Sequence, residues 1–185
     1  MNRRSLADVI LTIEVQSRQP VEPELPFNGG YSEWSAELVA TGAALQEDRV
    51  GVAMIVLCRD ARWNPNFWDR LDEVSTDMEI IASALSANAS QPDDALFGED
   101  VFLGDVLIFD RIAIEPAWRG NQLSHVLVDA AARAIAPAAL LALQPMPPRE
   151  QNQLTIGRLQ KHWEAAGFRP YRNGVYVKSS EPFEL

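Results

Sequence analysis

The sequence predicts an α+β fold, in which a mixed central β-sheet carries helices on both of its faces. In the first half, two strand-like runs are joined by the short polar link Gln46-Glu47-Asp48, as in an antiparallel hairpin. A helical segment follows, and the second half then alternates strand, helix, strand, helix and strand. The run Val106–Ile114 is apolar on both faces for much of its length, which is typical of a strand covered on both sides.

The first half is predicted to form three strands and one helix. A Pro-rich stretch at residues 20–26 separates the first two strands and cannot be helical. The helix is expected to begin near Asn66 and to carry one apolar stripe. The strands are Ile10–Val15, Glu33–Leu45 and Arg49–Arg59, and the stripe is Phe67, Leu71, Val74, Met78, Ile81, Ala82 and Leu85. The acidic segment Ala87–Asp105 is expected to be a surface loop anchored by Phe97 and Phe102.

The second half is predicted to form two helices between strands. The first helix, Leu123–Ile135, stops before Pro137, and the second begins at about Glu150 and ends before Gly167. Their apolar faces are Leu123, Leu127, Ala130 and Ala134 in the first, and Ile156, Leu159, Trp163 and Ala166 in the second. The closing strands are Ala138–Leu143 and one or two within Phe168–Lys178, with Arg172-Asn173-Gly174 as a turn. Residues 1–178 are expected to form one domain, and 179–185 a tail.

Composition restricts the class of protein. The chain has 185 residues, 47% of them hydrophobic, and a net charge of −10. That charge disfavours nucleic acid and anionic membranes as partners, or serves only solubility. The single cysteine, Cys58, cannot form an internal disulfide, and its apolar surroundings favour a buried hydrophobe over a nucleophile. No signal-peptide core or membrane-spanning run is present in the sequence, so a cytoplasmic location is expected.

The segment from Asp110 to Ser124 is the most informative part of the chain. A strand ends at Ile114, a Pro-containing turn leads into Arg119-Gly120, and a helix follows at once. The first N–H groups of a helix have no intrahelical acceptor, and the helix dipole favours an anion beside them. The segment therefore predicts a phosphate-binding site, with a helix start that binds nothing as the alternative.

This order of residues, with the helix Leu123–Ile135 behind it, resembles the acyl-CoA-binding motif of the GNAT acetyltransferase superfamily. The turn Pro145-Met146-Pro147-Pro148 and the long acidic helix after Asn66 resemble an uncharacterised bacterial branch of that superfamily. The segment His162–Phe168 is similar to the closing helix of that family, which ends in Gly-Phe. In the family the loop reads Gln/Arg-x-x-Gly-x-Gly/Ala. Here Arg119 holds the first position, and Gln122 and Ser124 stand at the two glycine positions. The resemblance implies a mostly antiparallel central sheet and acetyl-CoA as co-substrate.

The resemblance also implies which residues hold the cofactor. The loop and helix start would bind the pyrophosphate through backbone N–H groups, and the end of the preceding strand would bind the pantetheine and polarise the thioester carbonyl. The loop residues are Arg119, Gly120, Asn121, Gln122, Leu123 and Ser124, and the strand residues are Ile112, Ala113 and Ile114. The long side chain of Gln122 either swings away from the phosphate or fills its site.

Asp110 is the candidate catalytic residue. It lies in a strand predicted to be buried, where an ionised carboxylate is costly unless it is paired or functional. Side chains alternate along a strand, so Ile108, Asp110 and Ile112 share one face unless a bulge intervenes. The resemblance implies that Asp110 is a general base that takes a proton from an amine through water. The alternative is a structural salt bridge, to Arg111 or to a more distant cation.

Three other side chains bear on the chemistry. Trp163 stands where the family often has a Tyr that protonates the departing thiolate, and an indole has no titratable proton. His125 and His162 are the only histidines, and a surface or capping role is favoured over acid–base catalysis for each. No cluster with metal-ligand spacing appears in the sequence.

The resulting prediction is an acyl-CoA-dependent N-acyltransferase that acts on a small amine or a protein amino group by direct attack on the thioester. The alternative is a protein of the same fold that has lost CoA chemistry and acts as a binding or assembly module. Neither nucleic acid nor membrane is expected as a partner, and a homodimer is compatible with the sequence.

Overall fold

The computed structural model describes residues 6, 9–17, 31–42, 46–65, 67–72, 74–88, 91–97, 104–146 and 153–179. Nine strands and four helices follow one another in this part of the chain. The strands are β1 (Ile10–Ser17), β2 (Tyr31–Thr41), β3 (Glu47–Cys58), β4 (Ser86–Asn88), β5 (Gln91–Pro92), β6 (Val106–Ile114), β7 (Leu140–Leu143), β8 (Arg169–Pro170) and β9 (Tyr176–Ser179). The helices are α1 (Phe67–Asp72), α2 (Thr76–Leu85), α3 (Leu123–Ile135) and α4 (Gln153–Ala165). None of these helices is long and apolar enough to cross a membrane.

Seven strands form the central sheet in the order β1-β2-β3-β6-β7-β9-β8, and β4 and β5 form a separate small hairpin. All neighbours in the central sheet are antiparallel except β6 and β7, which run parallel and are connected through α3. A parallel pair needs such a crossover because the chain must return to the same end of the sheet. The predicted mixed, mostly antiparallel α+β fold is confirmed.

Apolar side chains cover both faces of this sheet. One face packs against α3 and the end of α4, and the other packs against α1 and α2. The first cluster includes Leu38, Ile55, Leu107, Phe109, Leu127, Leu141 and Trp163, and the second includes Val56, Phe67, Leu71, Met78, Leu85, Ile108 and Val177. Leu107 and Ile108 contribute to opposite clusters, as alternation along a strand requires. The strand Val106–Ile114, predicted to be covered on both sides, is buried in this way from Val106 to Phe109.

The helices differ from the predictions at two places. The single helix predicted after Asn66 is two helices, because Ser75 adopts an extended conformation and its hydroxyl caps α2 by accepting from the Met78 N–H at 3.2 Å. Val74, predicted to be on the apolar stripe, is therefore exposed in the break. The buried side of α3 is also rotated from the predicted one. It consists of Leu123, Leu127, Val128, Ala131, Ala132 and Ile135, and Ala134 is exposed.

The remaining elements follow the predictions with adjusted ends. The hairpin of β2 and β3 forms, but Glu47 and Asp48 of its predicted link belong to β3, where they pair with Thr41 and Ala40. The turn at Asn173-Gly174 forms as expected, with positive φ at both turn residues. The segment 87–105, predicted to be a loop, contains most of the β4–β5 hairpin, and Phe97 is buried in it as expected. Ser179 belongs to β9 rather than to a tail. Residues 20–26, Asn66, Phe102, Glu150 and 180–185 lie outside the described residues.

Cys58 is buried at the end of β3, as expected for a small core residue. Burial, opposed by a hydrogen bond with Tyr31, raises the pKa of its thiol to about 12. A thiol in that state carries almost no thiolate at neutral pH, so the position is structural rather than nucleophilic.

Candidate functional site

Strand β6 contains a β-bulge at Asp110. Against β3, Met54 pairs with Arg111 and Ile55 pairs with Phe109, so Asp110 is the extra residue on β6. The bulge shifts the alternation, and Ile112 packs on the cluster of Phe109 rather than on that of Ile108. The bulge that this expectation named as its exception therefore intervenes, and Ile112 lies on the opposite face from Ile108, because an inserted residue reverses the order of inward and outward side chains.

The bulge leaves Asp110 exposed, although its strand is buried up to Phe109. Partial burial raises the pKa of its carboxyl, Arg111 opposes the shift, and the negative charges of Asp77 and Glu33 reinforce it. Among the described residues, no cation lies within 4.0 Å of Asp110, so the alternative of a structural salt bridge, to Arg111 or to a more distant cation, is not seen there. Asp77 lies in the first turn of α2, and its effect on Asp110 places that carboxylate toward the face that carries α1 and α2.

Beyond Phe109, β6 has a strand on one side only. Its parallel pairing with β7 ends at Phe109 and Leu143, whereas its antiparallel pairing with β3 continues to Ile114 opposite Gly51. Within the described part of the chain, the β7-side edge from Asp110 to Ile114 therefore has no strand partner. An unpaired strand edge offers backbone donors and acceptors to an extended ligand.

The loop after β6 is fixed by hydrogen bonds of its own side chains. A 3-10 turn, Pro116–Trp118, follows the strand, and Trp118 is buried. The Arg119 Nε atom donates to the Ile114 carbonyl oxygen at 2.9 Å, and the Asn121 side-chain amide donates to the Trp118 carbonyl oxygen at 3.2 Å. Both side chains thus hold the loop in place.

The loop enters α3 through two residues with positive φ. Gly120 has φ 90°, and Gln122, the N-cap residue of α3, has φ 55° in the left-handed region. Glycine adopts that conformation without a steric penalty, whereas the Cβ atom of glutamine makes it unfavourable. The Gln122 side chain is exposed and makes no capping hydrogen bond.

The first turn of α3 presents backbone donors. The His125 N–H donates to the Gln122 carbonyl oxygen at 3.0 Å, which closes the first helical turn. The N–H groups of Gln122, Leu123 and Ser124 donate to no acceptor among the described residues. The side chain of Leu123 is buried, so this residue presents only its backbone. Three free N–H groups at the positive end of a helix dipole are suited to an anion.

A cluster of side chains joins α3 to α4 at this point. The Ser124 Oγ and His162 Nε2 atoms are 2.7 Å apart, and the ring centroids of His125 and His162 are separated by 4.1 Å. His125 also lies 5.8 Å from Trp163, centroid to centroid. Sequence reasoning missed this cluster, because surface or capping roles were expected for both histidines. The signal was the position of His125 beside Ser124, but nothing in the sequence places His162 against it.

Trp163 is buried, as its place on the apolar face of α4 predicts. Its ring packs edge-on against Phe168 at 5.6 Å, beyond Gly167, which ends the helix with φ 86°. The nearby Tyr176 hydroxyl donates to the Glu164 carboxylate at 3.2 Å, and both burial and that carboxylate raise the pKa of this phenol. A titratable phenol is therefore present near the end of α4, but it belongs to β9.

The predicted site residues fall into two groups in space. Ile112 and Ile114 pack toward the face that carries α3, and Arg119–Ser124 continue from them into the helix start. The charges around Asp110 lie toward the opposite face. The open β7-side edge of β6 runs between the two, so a ligand along that edge would reach both.

No protein-family model matches this chain, and no curated protein matches it. Among solved structures, a mutant of KacT aligns with 81% of this chain and 71% of its own, at 10% identity and a TM-score of 0.38. A structure of AtaT complexed with acetyl-methionyl-tRNAfMet aligns with 92% of this chain and 95% of its own, at 11% identity and a TM-score of 0.40. Both likenesses are too distant to bear on the function of this chain.

Proposed function

We propose that this protein is an acyl-CoA-dependent N-acyltransferase. The observation that carries the proposal is the course of β6, which continues past its pairing with β7 and is followed, after the loop of residues 115–122, by a helix start with free N–H groups. An unpaired strand edge followed by an anion-binding helix start suits a ligand that has an extended amide-containing arm and a phosphate group. The resemblance of Asp110–Ser124 to the GNAT cofactor motif supports the same ligand.

The N–H groups of Gln122, Leu123 and Ser124 would hold the pyrophosphate, and Arg119, Gly120 and Asn121 shape the loop around it. The backbone of Ile112, Ala113 and Ile114 would bind the pantetheine along the open edge. Acetyl-CoA, when bound, supplies the activated acyl group. Because donors aimed at a developing oxyanion stabilise it without reorganisation, backbone N–H groups of this edge would also polarise the thioester carbonyl.

Asp110 would act as the general base on the other face of the sheet. The amine nitrogen attacks the acyl carbon, the carbon–sulfur bond breaks, and the amine proton passes through water to Asp110. The raised pKa of the Asp110 carboxyl improves its match to this task. The departing thiolate would take its proton from solvent, since Trp163 cannot supply one. The negative charges of Asp77 and Glu33 favour a cationic amine, either a small molecule or a protein amino group.

A binding or assembly module is the second candidate. The observation that favours it is the place of Trp163, which packs in the core at a position where an acid is expected. The Arg119 and Ser124 side chains are also engaged within the protein. In such a module α3 and α4 would remain in contact and the helix start would bind no cofactor.

Calorimetry with acetyl-CoA distinguishes the two candidates. We expect binding at micromolar to millimolar concentration, with a rise in Tm because the ligand selects the folded state. Gln122→Glu is expected to weaken binding by about tenfold, since a carboxylate would stand beside the phosphate. Gln122→Asn, whose side chain tolerates the left-handed conformation, is the neutral control and should bind like the natural protein. An absence of binding at millimolar acetyl-CoA would refute the acyltransferase.

A further inference from the structure

The Ser124 hydroxyl has two neighbours that matter for an anion at the start of α3. It belongs to the second residue of the helix, beside the free N–H groups, and it is 2.7 Å from the Nε2 atom of His162 on α4. In a hydrogen bond between these atoms, one donates and the other accepts. When Nε2 carries a hydrogen and donates to Ser124 Oγ, the hydroxyl hydrogen is free to be donated elsewhere.

The electrostatic surroundings of His162 favour the neutral form of its imidazole in the free protein. Burial lowers the pKa of its imidazole, and the nearby His125 ring lowers it further. From β9, the Tyr176 hydroxyl faces the end of α4, but it is bound to the Glu164 carboxylate. Within the described chain no carboxylate contributes to the His162 shift, so nothing there compensates a positive charge on the ring. A phosphate beside Ser124 would supply that compensation.

We propose that His162 is a positioning residue of the cofactor site, which takes up a proton when the pyrophosphate binds and holds the Ser124 hydroxyl as a donor to the anion. This inference rests on the proposed acyltransferase function and adds to it a regulatory property, the linkage of cofactor binding to protons. The reason is reciprocity: a bound anion favours the imidazolium, so the imidazolium must favour the anion. Cofactor affinity should then increase as the pH falls.

Coenzyme A itself is the probe. Its affinity is measured by calorimetry at about pH 6, 7 and 8 for the natural protein and for His162→Gln, in which the amide cannot titrate. Coenzyme A carries a phosphate with a pKa near 6, and its titration affects binding to both proteins. The informative quantity is therefore the affinity of the natural protein divided by the affinity of His162→Gln. We expect this ratio to increase as the pH falls from 8 to 6, with a limit of about tenfold per pH unit for one proton. Repeating the titration in two buffers of different ionisation enthalpy measures the proton uptake directly.

Two further variants test the geometry. Ser124→Ala keeps the imidazole but removes the hydroxyl between it and the anion, and we expect weaker binding with a smaller pH dependence. Lys161→Gln removes an exposed cation from the preceding position of the same helix. This control should keep the full pH dependence, because it leaves the contact between Ser124 and His162 in place. Equal Tm values at pH 8 would verify that the variants fold.

The outcomes separate this inference from the proposed function. Binding of coenzyme A with the same pH dependence in the natural protein and in His162→Gln overturns the role of His162 and leaves the acyltransferase standing. Binding to neither protein at any pH overturns both. If Lys161→Gln also lost the pH dependence of coenzyme A binding, that dependence would come from the overall charge of α4. This result would overturn the role of His162.

Discussion

Gly51 on β3 lies directly against Ile114 on β6, so closely that a Cβ atom on Gly51 would stand 2.5 Å from Ile114 Cδ1 and 2.8 Å from the Ala113 carbonyl oxygen. Gly51 and Ile114 form the last pair between β3 and β6 before the loop that leads to α3. Only a residue without a side chain permits this approach, because the second contact is with backbone that cannot turn aside. The close pairing fixes the strand end from which the candidate cofactor site begins.

We expect Gly51→Ala to destabilise the protein by about 1–3 kcal/mol, as overpacking in a rigid environment does. Urea unfolding measures the change. Gly157→Ala is the matched control, since nothing lies within 4 Å of a Cβ at that helical position. There the same substitution should stabilise the protein, by up to about 1 kcal/mol, because alanine favours the helix. Equal effects at the two positions would contradict the close contact at Ile114.

Asp110→Asn tests the general base and the electrostatics of the bulge together. The Asp110 carboxyl binds its proton more tightly in the folded protein than in the unfolded chain. Its contribution to stability is therefore present below pH 3.8 and is lost as the pH rises through the raised pKa of the folded state. The variant should therefore melt slightly higher than the natural protein at pH 7 and equally near pH 3. Turnover should fall by about 10²-fold or more, with unchanged acetyl-CoA affinity. A lower Tm at pH 7 with normal turnover would contradict both the general base and the raised pKa of this carboxyl.

Gln122→Gly tests the left-handed N-cap of α3. Glycine adopts φ 55° without a steric penalty, so the substitution should stabilise the fold by about 1 kcal/mol or slightly less, once the added freedom of the unfolded chain is included. Thermal unfolding measures the change. Because the Gln122 side chain is exposed and uncapped, we expect acetyl-CoA affinity to stay the same. Tighter binding would show that this side chain obstructs the phosphate.

Trp163→Tyr introduces a titratable hydroxyl at the position where the GNAT resemblance implies an acid. In an enzyme that lacks only this acid, turnover should increase while acetyl-CoA affinity stays the same. The smaller ring leaves space beside Phe168, so a loss of about 1–2 kcal/mol in stability is expected. Steady-state kinetics and calorimetry on the same preparation check both points. A large fall in turnover would show that the indole shapes the acceptor pocket.

The fold was largely predictable because its signals are local. Val106–Ile114 and Leu123–Ile135 have the predicted bounds, since an apolar run and an amphipathic stripe with a proline behind it leave few alternatives. The break at Ser75 was missed, because the apolar spacing continues across it and hides the cap.

The candidate site was predictable in outline only. The loop and helix start follow from residue order along the chain, but the bulge at Asp110 depends on the register between β3 and β6, which no local pattern encodes. The contact of Ser124 with His162 likewise depends on how α4 packs on α3. Both features are tertiary, and both alter the chemistry expected of residues that the sequence had singled out.

Asp93 connects two parts of the molecule that lie far apart along the chain. Its carboxylate accepts from the Tyr171 hydroxyl at 2.8 Å and from Arg172 at 2.7 Å, and it thereby joins the β4–β5 hairpin to the turn between β8 and β9. The first three strands pair with their immediate neighbours in sequence, whereas this connection must close a loop of nearly eighty residues. Loop closure on that scale delays folding, so the Asp93 contacts should form after the β1–β2–β3 meander. During synthesis, the amino-terminal meander can therefore assemble before the residues that complete the sheet have left the ribosome.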